Sequence, residues 1–142
     1  MNTISIKTCL FNNGQLPCYS TKKAAGADVV LPETVTLKKR GMSAWIDLQI
    51  GFDIPEDFCI MLQPRSSTSR KWGVITDTGI IDSDYKNAPI HCCLINYTDK
   101  KVAIPAGTRI VQLLVIPVYH VTDWKVSGKV RNPTLGSGST GD

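Results

Sequence analysis

From Ile46 to Ile54 every second residue is apolar. Ile46, Leu48, Ile50, Phe52 and Ile54 alternate with Asp47, Gln49, Gly51 and Asp53, and a period of two marks a strand with one face buried and one face wet. Pro55-Glu56-Asp57 then supplies a turn, and Phe58-Cys59-Ile60-Met61-Leu62 starts a second strand; the two are expected to form a hairpin. Further short apolar runs lie at Val29–Leu31, Val35–Leu37, Ile90–Tyr97 and Val102–Ile104, separated by Pro, Gly, Asn and Asp. No window carries a sustained 3.6-residue apolar stripe, and only Ser67–Trp72 suits a short helical turn. This spacing describes an all-β sandwich, jelly roll or barrel.

With 142 residues, 42% of them hydrophobic and 20% charged, the chain is sized and composed for one cored domain. No apolar run approaches the ~20 residues of a membrane span, and the N-terminal stretch lacks a basic-then-apolar leader pattern, so an intracellular, cytoplasmic protein is expected. The five cysteines, Cys9, Cys18, Cys59, Cys92 and Cys93, show no metal spacing and read as reduced small hydrophobes. The net charge of +4 suits an anionic ligand. Its Lys and Arg lie in scattered pairs and one triplet, not the aromatic-laced stripe of a nucleic-acid binder.

One strand stands apart. Ile110–Ile116 is apolar on both faces except at Gln112, which calls either for a central place in the core or for cover from another subunit. Residues 128–142 are mostly Gly, Ser, Thr, Pro and Asn; such an arm cannot pack alone and is expected to be flexible unless a ligand orders it, leaving residues 1–127 as the folded domain.

Five polar or glycine-rich segments adjoin these strands. In Ala24-Ala25-Gly26-Ala27-Asp28 small residues permit close backbone approach, and Asp28 can anchor a hydrogen-bond network. Pro64-Arg65-Ser66-Ser67-Thr68-Ser69 crowds hydroxyls and N–H groups beside one guanidinium, as a phosphate chain requires; a Ser-rich helix cap would read the same way. Thr78-Gly79-Ile80-Ile81-Asp82-Ser83-Asp84-Tyr85 offers acids that can activate water and an aromatic face for a sugar or base, with a calcium loop as rival, though it lacks that loop's further acids. In Gly107-Thr108-Arg109-Ile110-Val111-Gln112 a lone amide enters an apolar strand, and Gln112 needs partners that a phosphate, a water or the protein itself could supply. Gly136-Ser137-Gly138-Ser139-Thr140-Gly141 lacks the ending and following helix of a P-loop, and reads as a phosphate-wrapping loop or as a free tail.

In order and spacing the five segments resemble the five motifs of the trimeric dUTP diphosphatases, over Ala24 to Gly141; Gly-Ile-Ile-Asp-Ser-Asp-Tyr and Pro-Arg-Ser-Ser are the most specific. The resemblance implies a jelly-roll subunit in a homotrimer with sites at its interfaces, hydrolysing dUTP to dUMP and diphosphate. It implies Mg²⁺ as cofactor, held mainly by substrate phosphates and water with no protein metal ligand. Carried over, Asp82 is the base for the attacking water and Tyr85 excludes a 2′-hydroxyl. Gly79 and Ile80 read the uracil edge; Arg65, Ser66, Ser67 and Gln112 serve the phosphates; Asp28 supports the network. Gly138, Ser139 and Thr140 close over the γ-phosphate. No nucleic acid or membrane partner is implied.

This chain departs from the pattern in places. Ser137 stands at the aromatic position of the arm, Asn132 at that of its arginine (with Arg131 one residue further off), and Asn87 where a glycine is usual. Two other readings remain. A dCTP deaminase shares the fold but wants a pocket glutamate, and no Glu follows Glu56. A non-catalytic nucleotide-binding or interaction module would keep the fold without the activity.

Overall fold

A computed structural model describes residues 3–41 and 43–128. Eleven strands run in chain order: β1 (Lys7–Leu10), β2 (Ala27–Val30), β3 (Val35–Leu37), β4 (Ser43–Asp47), β5 (Ile50–Asp53), β6 (Phe58–Pro64), β7 (Val74–Thr76), β8 (Gly79–Ile81), β9 (His91–Asn96), β10 (Val102–Ile104) and β11 (Arg109–Pro117). One helix, α1 (Ser66–Trp72), follows β6, and a 3-10 turn spans Ser83–Tyr85. The strands form a four-stranded sheet in the order β2-β11-β6-β8, a three-stranded sheet β4-β9-β7, and two antiparallel ribbons, β1-β5 and β3-β10. Val29, Ile60, Leu62 and Val111 from the larger sheet and Val74, Cys92 and Leu94 from the smaller share one buried cluster. That is sheet-on-sheet packing. Among the described residues no helix is long and apolar enough to cross a membrane.

The alternation from Ile46 to Ile54 is not one strand. It breaks at Leu48-Gln49, where Gln49 adopts φ 55° and its N–H donates to Asp47 Oδ1 at 2.7 Å. The buried Gln49 side chain is satisfied on both sides, accepting from Asn13 N at 2.8 Å and donating to Glu33 Oε1 at 3.0 Å. Through this corner the chain changes partners: β4 pairs with β9, and β5 with β1. The expected hairpin is also absent, because β6 pairs with β11 and β8 and not with β5. The apolar period survives the break because both halves point into the same core: Leu48, Ile50, Phe52 and Ile54 are all buried.

Of the two places expected for it, β11 takes the central one in its sheet, hydrogen-bonded to β2 on one side and β6 on the other. Ile110, Val111 and Leu113 are buried, whereas Leu114 and Ile116 are only half covered. Residues opposite one another in an antiparallel pair share a face. The register therefore groups Asp28, Gln112 and Gln63 at one end of an outer face, and Leu114, Met61 and the exposed Ile80 further along it. Thr68 pins α1 to β11 through Oγ1 to Ile110 O at 2.9 Å. Gly73 ends the helix at φ 62°, its N–H bonded to Ser69 O, the left-handed cap that glycine adopts without strain.

Candidate active site

The polar end of the four-stranded sheet is built around one acid. Asp28 is buried and receives Arg65 Nε at 2.6 Å, Arg109 Nη1 at 3.3 Å and Ser20 Oγ at 2.7 Å. Arg65 also donates to Arg109 O at 3.0 Å, and Arg109 to Ser20 Oγ at 3.0 Å. Two guanidiniums against one carboxylate leave the cluster one positive charge in excess. Beside it a cleft of about 420 Å³ is lined by Arg65, Ser67, Lys71, Thr108 and Arg109. Gln112 donates to Pro64 O at 3.1 Å, and Gly26 lets its amide in, since a Cβ there would lie 2.5 Å from Gln112 Oε1. Ser66 and Ser67 open α1, exposed, with N–H groups that first-turn geometry leaves free. Arg65 is the N-cap residue, with no side-chain cap bond, so the serines do not cap the helix.

A second site lies on β8. A cleft of about 490 Å³ is lined by Trp45, Leu62, Gly79, Ile80, Ile81, Tyr85, Ile90 and His91. Strand β8 is the last in its sheet, so one side of its backbone is unpaired in the sheet and able to bond in-plane to a planar ring. Tyr85 leaves the 3-10 turn half exposed, its hydroxyl donating to Pro89 O at 3.3 Å. Behind it Asn87 holds φ 59°, the left-handed conformation expected where glycine is usual and tolerated best by Asn among side-chain-bearing residues. Asp82 stands exposed at the end of β8 and forms no ion pair among the described residues. It differs in this from Asp28.

The two sites are apart within one chain. Gly79 lies opposite Leu62 and Ile81 opposite Ile60, so Asp82 leaves the sheet beside Cys59 while Ser66 follows the other end of β6. At ~3.3 Å per strand residue these ends are roughly 20 Å apart. Of the residues singled out in the sequence, the chain brings together Asp28, Arg65 and Gln112 with Ser66 and Ser67 nearby, and separately Gly79, Ile80, Asp82 and Tyr85. Gly138, Ser139 and Thr140, with Arg131, Asn132 and Ser137, lie outside the described residues.

Sequence reasoning missed Ser20, the second guanidinium of Arg109, and Trp45 and His91. Arg109 carries no local signal because its partner Asp28 is 81 residues away, and Ser20, eight residues before Asp28, is one exposed-looking serine in a polar loop until the fold closes. Trp45 had one: it falls in the outward phase of the alternating pattern, where an indole is out of place.

Among the described residues no three His, Cys, Asp or Glu side chains cluster as a metal site. The five cysteines are free. Burial, with Asp77 and Cys93 adding to it, pushes the Cys92 thiol up to about 12, which leaves it an inert core group.

The fold matches the dUTPase of phage phi11 of S. aureus, in a variant described for its structural Mg(II) ion, with TM-score 0.79 and 22% identity over 88% of this chain and 98% of that one. A Staphylococcus bacteriophage 80alpha dUTPase variant with dUpNHpp matches with TM-score 0.83 and 23% identity, covering 99% of this chain and all of that one. The chain is thus a β jelly roll. The family model for dUTPase matches residues 12–141. A deoxyuridine 5'-triphosphate nucleotidohydrolase of Hydrogenobaculum sp. is 32% identical over 136 residues, covering 93% of this chain and 94% of the relative; one of Chlamydia pneumoniae is 35% identical over 93% and 92%. The chain belongs to the dUTPase family.

Proposed function

We propose that the protein is a dUTP diphosphatase, hydrolysing dUTP to dUMP and diphosphate by attack of water at the α-phosphorus. The observation that carries the reading is the contrast between its two conspicuous acids. Asp28 is consumed by two guanidiniums; Asp82 is exposed, forms no ion pair among the described residues, and directly follows Ile81, a wall residue of the cleft that Tyr85 also lines. A free carboxylate can orient water and take its proton. A carboxylate that holds two arginines instead fixes donors for an anion.

In this reading uracil lies in the β8 cleft, its edge met by the backbone of Gly79 and Ile80, and Tyr85 closes the space a 2′-hydroxyl would need. Ser66, Ser67 and Gln112 meet the phosphates, with Arg65 held behind them by Asp28. This is catalysis by positioning and charge neutralisation. Because Asp82 and Ser66 are far apart in one chain, each site takes its base from one copy and its phosphate donors from another, in a homotrimer. The outer face of half-covered Met61, Leu114 and Ile116 and exposed Ile80 gives such an assembly apolar surface to bury. The arm at 128–142 closes over the γ-phosphate through Gly138, Ser139 and Thr140.

Magnesium fits this donor set as an ion that arrives with its substrate. Asp28 is occupied and Asp82 is a single carboxylate, so phosphate oxygens and water supply most ligands, as Mg²⁺ accepts readily. When bound it would neutralise charge on the triphosphate.

The test is incubation with dUTP and with dCTP in Mg²⁺ buffer, following diphosphate and ammonia. Diphosphate from dUTP alone is expected. Ammonia from dCTP would indicate a deaminase, and silence with both would indicate a binding module.

A further inference from the structure

Trp45 is 72% exposed, yet it sits mid-strand in β4, directly opposite Cys93 of β9. Single exposed aromatics are common and mean little. This one lines the β8 cleft together with Gly79, Ile80 and Tyr85, and its indole N–H has no partner among the described residues. Of the cleft's other walls, Leu62, Ile81 and Ile90 are aliphatic, and His91 adds a smaller imidazole ring. A pyrimidine that bonds in-plane to the free edge of β8 must present its two flat faces to the sides of the cleft. Only two side chains there are large planar aromatics. Tyr85 is tethered through its hydroxyl to Pro89 O, which limits how far its ring can move. Trp45 has no such tether, so it is free to lie against a ring.

We propose that Trp45 is a base-stacking residue of this enzyme, holding the pyrimidine flat against β8 while Tyr85 serves the sugar. The assignment rests on the reading of the β8 cleft as the nucleoside pocket. It makes Trp45 a determinant of affinity for the base, with no part in the attack on phosphorus.

The experiment separates these levels. In a Trp72→Phe/Trp124→Phe background the only remaining indole is Trp45; titration with dUMP should change its emission, whereas diphosphate should not. Trp45→Ala should raise KM for dUTP on the order of tenfold, the scale of one lost stacked base, with kcat within about twofold. Trp45→Phe should recover most of the loss, which a merely structural residue would not reproduce. Circular dichroism and sedimentation accompany each variant. An unchanged KM and a silent emission, in a protein that hydrolyses dUTP, would overturn the stacking role and leave the proposed function standing. Dissociation of the assembly in Trp45→Ala would also overturn it, assigning the indole to a contact between copies. Absence of dUTP hydrolysis by the unaltered protein would instead sink the reading beneath.

Discussion

The thiol of Cys9 donates to Asn87 Oδ1 at 3.4 Å, tying β1 to the turn behind Tyr85. The same turn is docked on β5, with Asn87 N donating to Phe52 O at 3.0 Å. Gly51 permits the approach, since a Cβ there would lie 2.2 Å from Asn87 O. The ribbon β1-β5 is therefore the backing of the segment that carries Tyr85. Asn87→Ala should cost about 1–2 kcal/mol, from left-handed strain and the lost hydrogen bond. Asn87→Gly relieves the strain and should cost less than Asn87→Ala. Urea denaturation of both variants at fixed protein concentration checks the order; equal losses would mean that the backbone conformation is not what matters.

Tyr85→Ala should erode discrimination between dUTP and UTP while changing diphosphate affinity little. Tyr85→Phe keeps the ring and loses only the bond to Pro89 O, so most discrimination should remain. The ratio of kcat/KM for the two nucleotides is the measurement. A ratio unmoved by Tyr85→Ala would remove the side chain from sugar recognition.

Asp28→Ala strips Arg65 and Arg109 of their shared partner. Breaking a buried pair typically costs about 3–5 kcal/mol; with Arg109 about half exposed, a loss near the bottom of that range is expected. Denaturation midpoints test it. The phosphate side should suffer with the fold, so KM for dUTP should rise as well. A variant as stable as the original would show that the three charges are held by something other than one another.

Much of this was legible in the sequence. The period-two pattern and the turn residues gave an all-β chain because burial on one face leaves a local mark. The short helix after Arg65 fitted the one segment suited to a helical turn, and the left-handed Asn87 was readable only from the family pattern, where glycine is usual. The corner at Gln49 was not, because glutamine carries no turn signal and is held there by Asn13, Asp47 and Glu33, partners that only the folded chain assembles. The false hairpin has a different source: Pro55-Glu56-Asp57 is a turn, but it carries the chain from the β1-β5 ribbon to the four-stranded sheet. At the site, Asp82 and Tyr85 were visible as residue types on a tight excursion, whereas the pairing of Asp28 with two arginines depends on strand order and could not be seen.

Asp82→Asn should lower turnover by about 10²–10⁴ with dUMP binding retained. A sharper form of the test uses mixed assemblies. Copies carrying only Asp82→Asn and copies carrying only Ser66→Ala should each be poor enzymes, and mixing with subunit exchange should restore part of the activity. Recovery is possible only if the base and the phosphate donors of one site come from different chains. No recovery, with exchange confirmed, would place both in a single copy.

Hydrolysis of dUTP in ¹⁸O-labelled water, with mass analysis of both products, shows which phosphorus the water attacks. Attack at the α-phosphorus leaves one ¹⁸O in dUMP and none in diphosphate. Label in the diphosphate, or release of orthophosphate in its place, would contradict it.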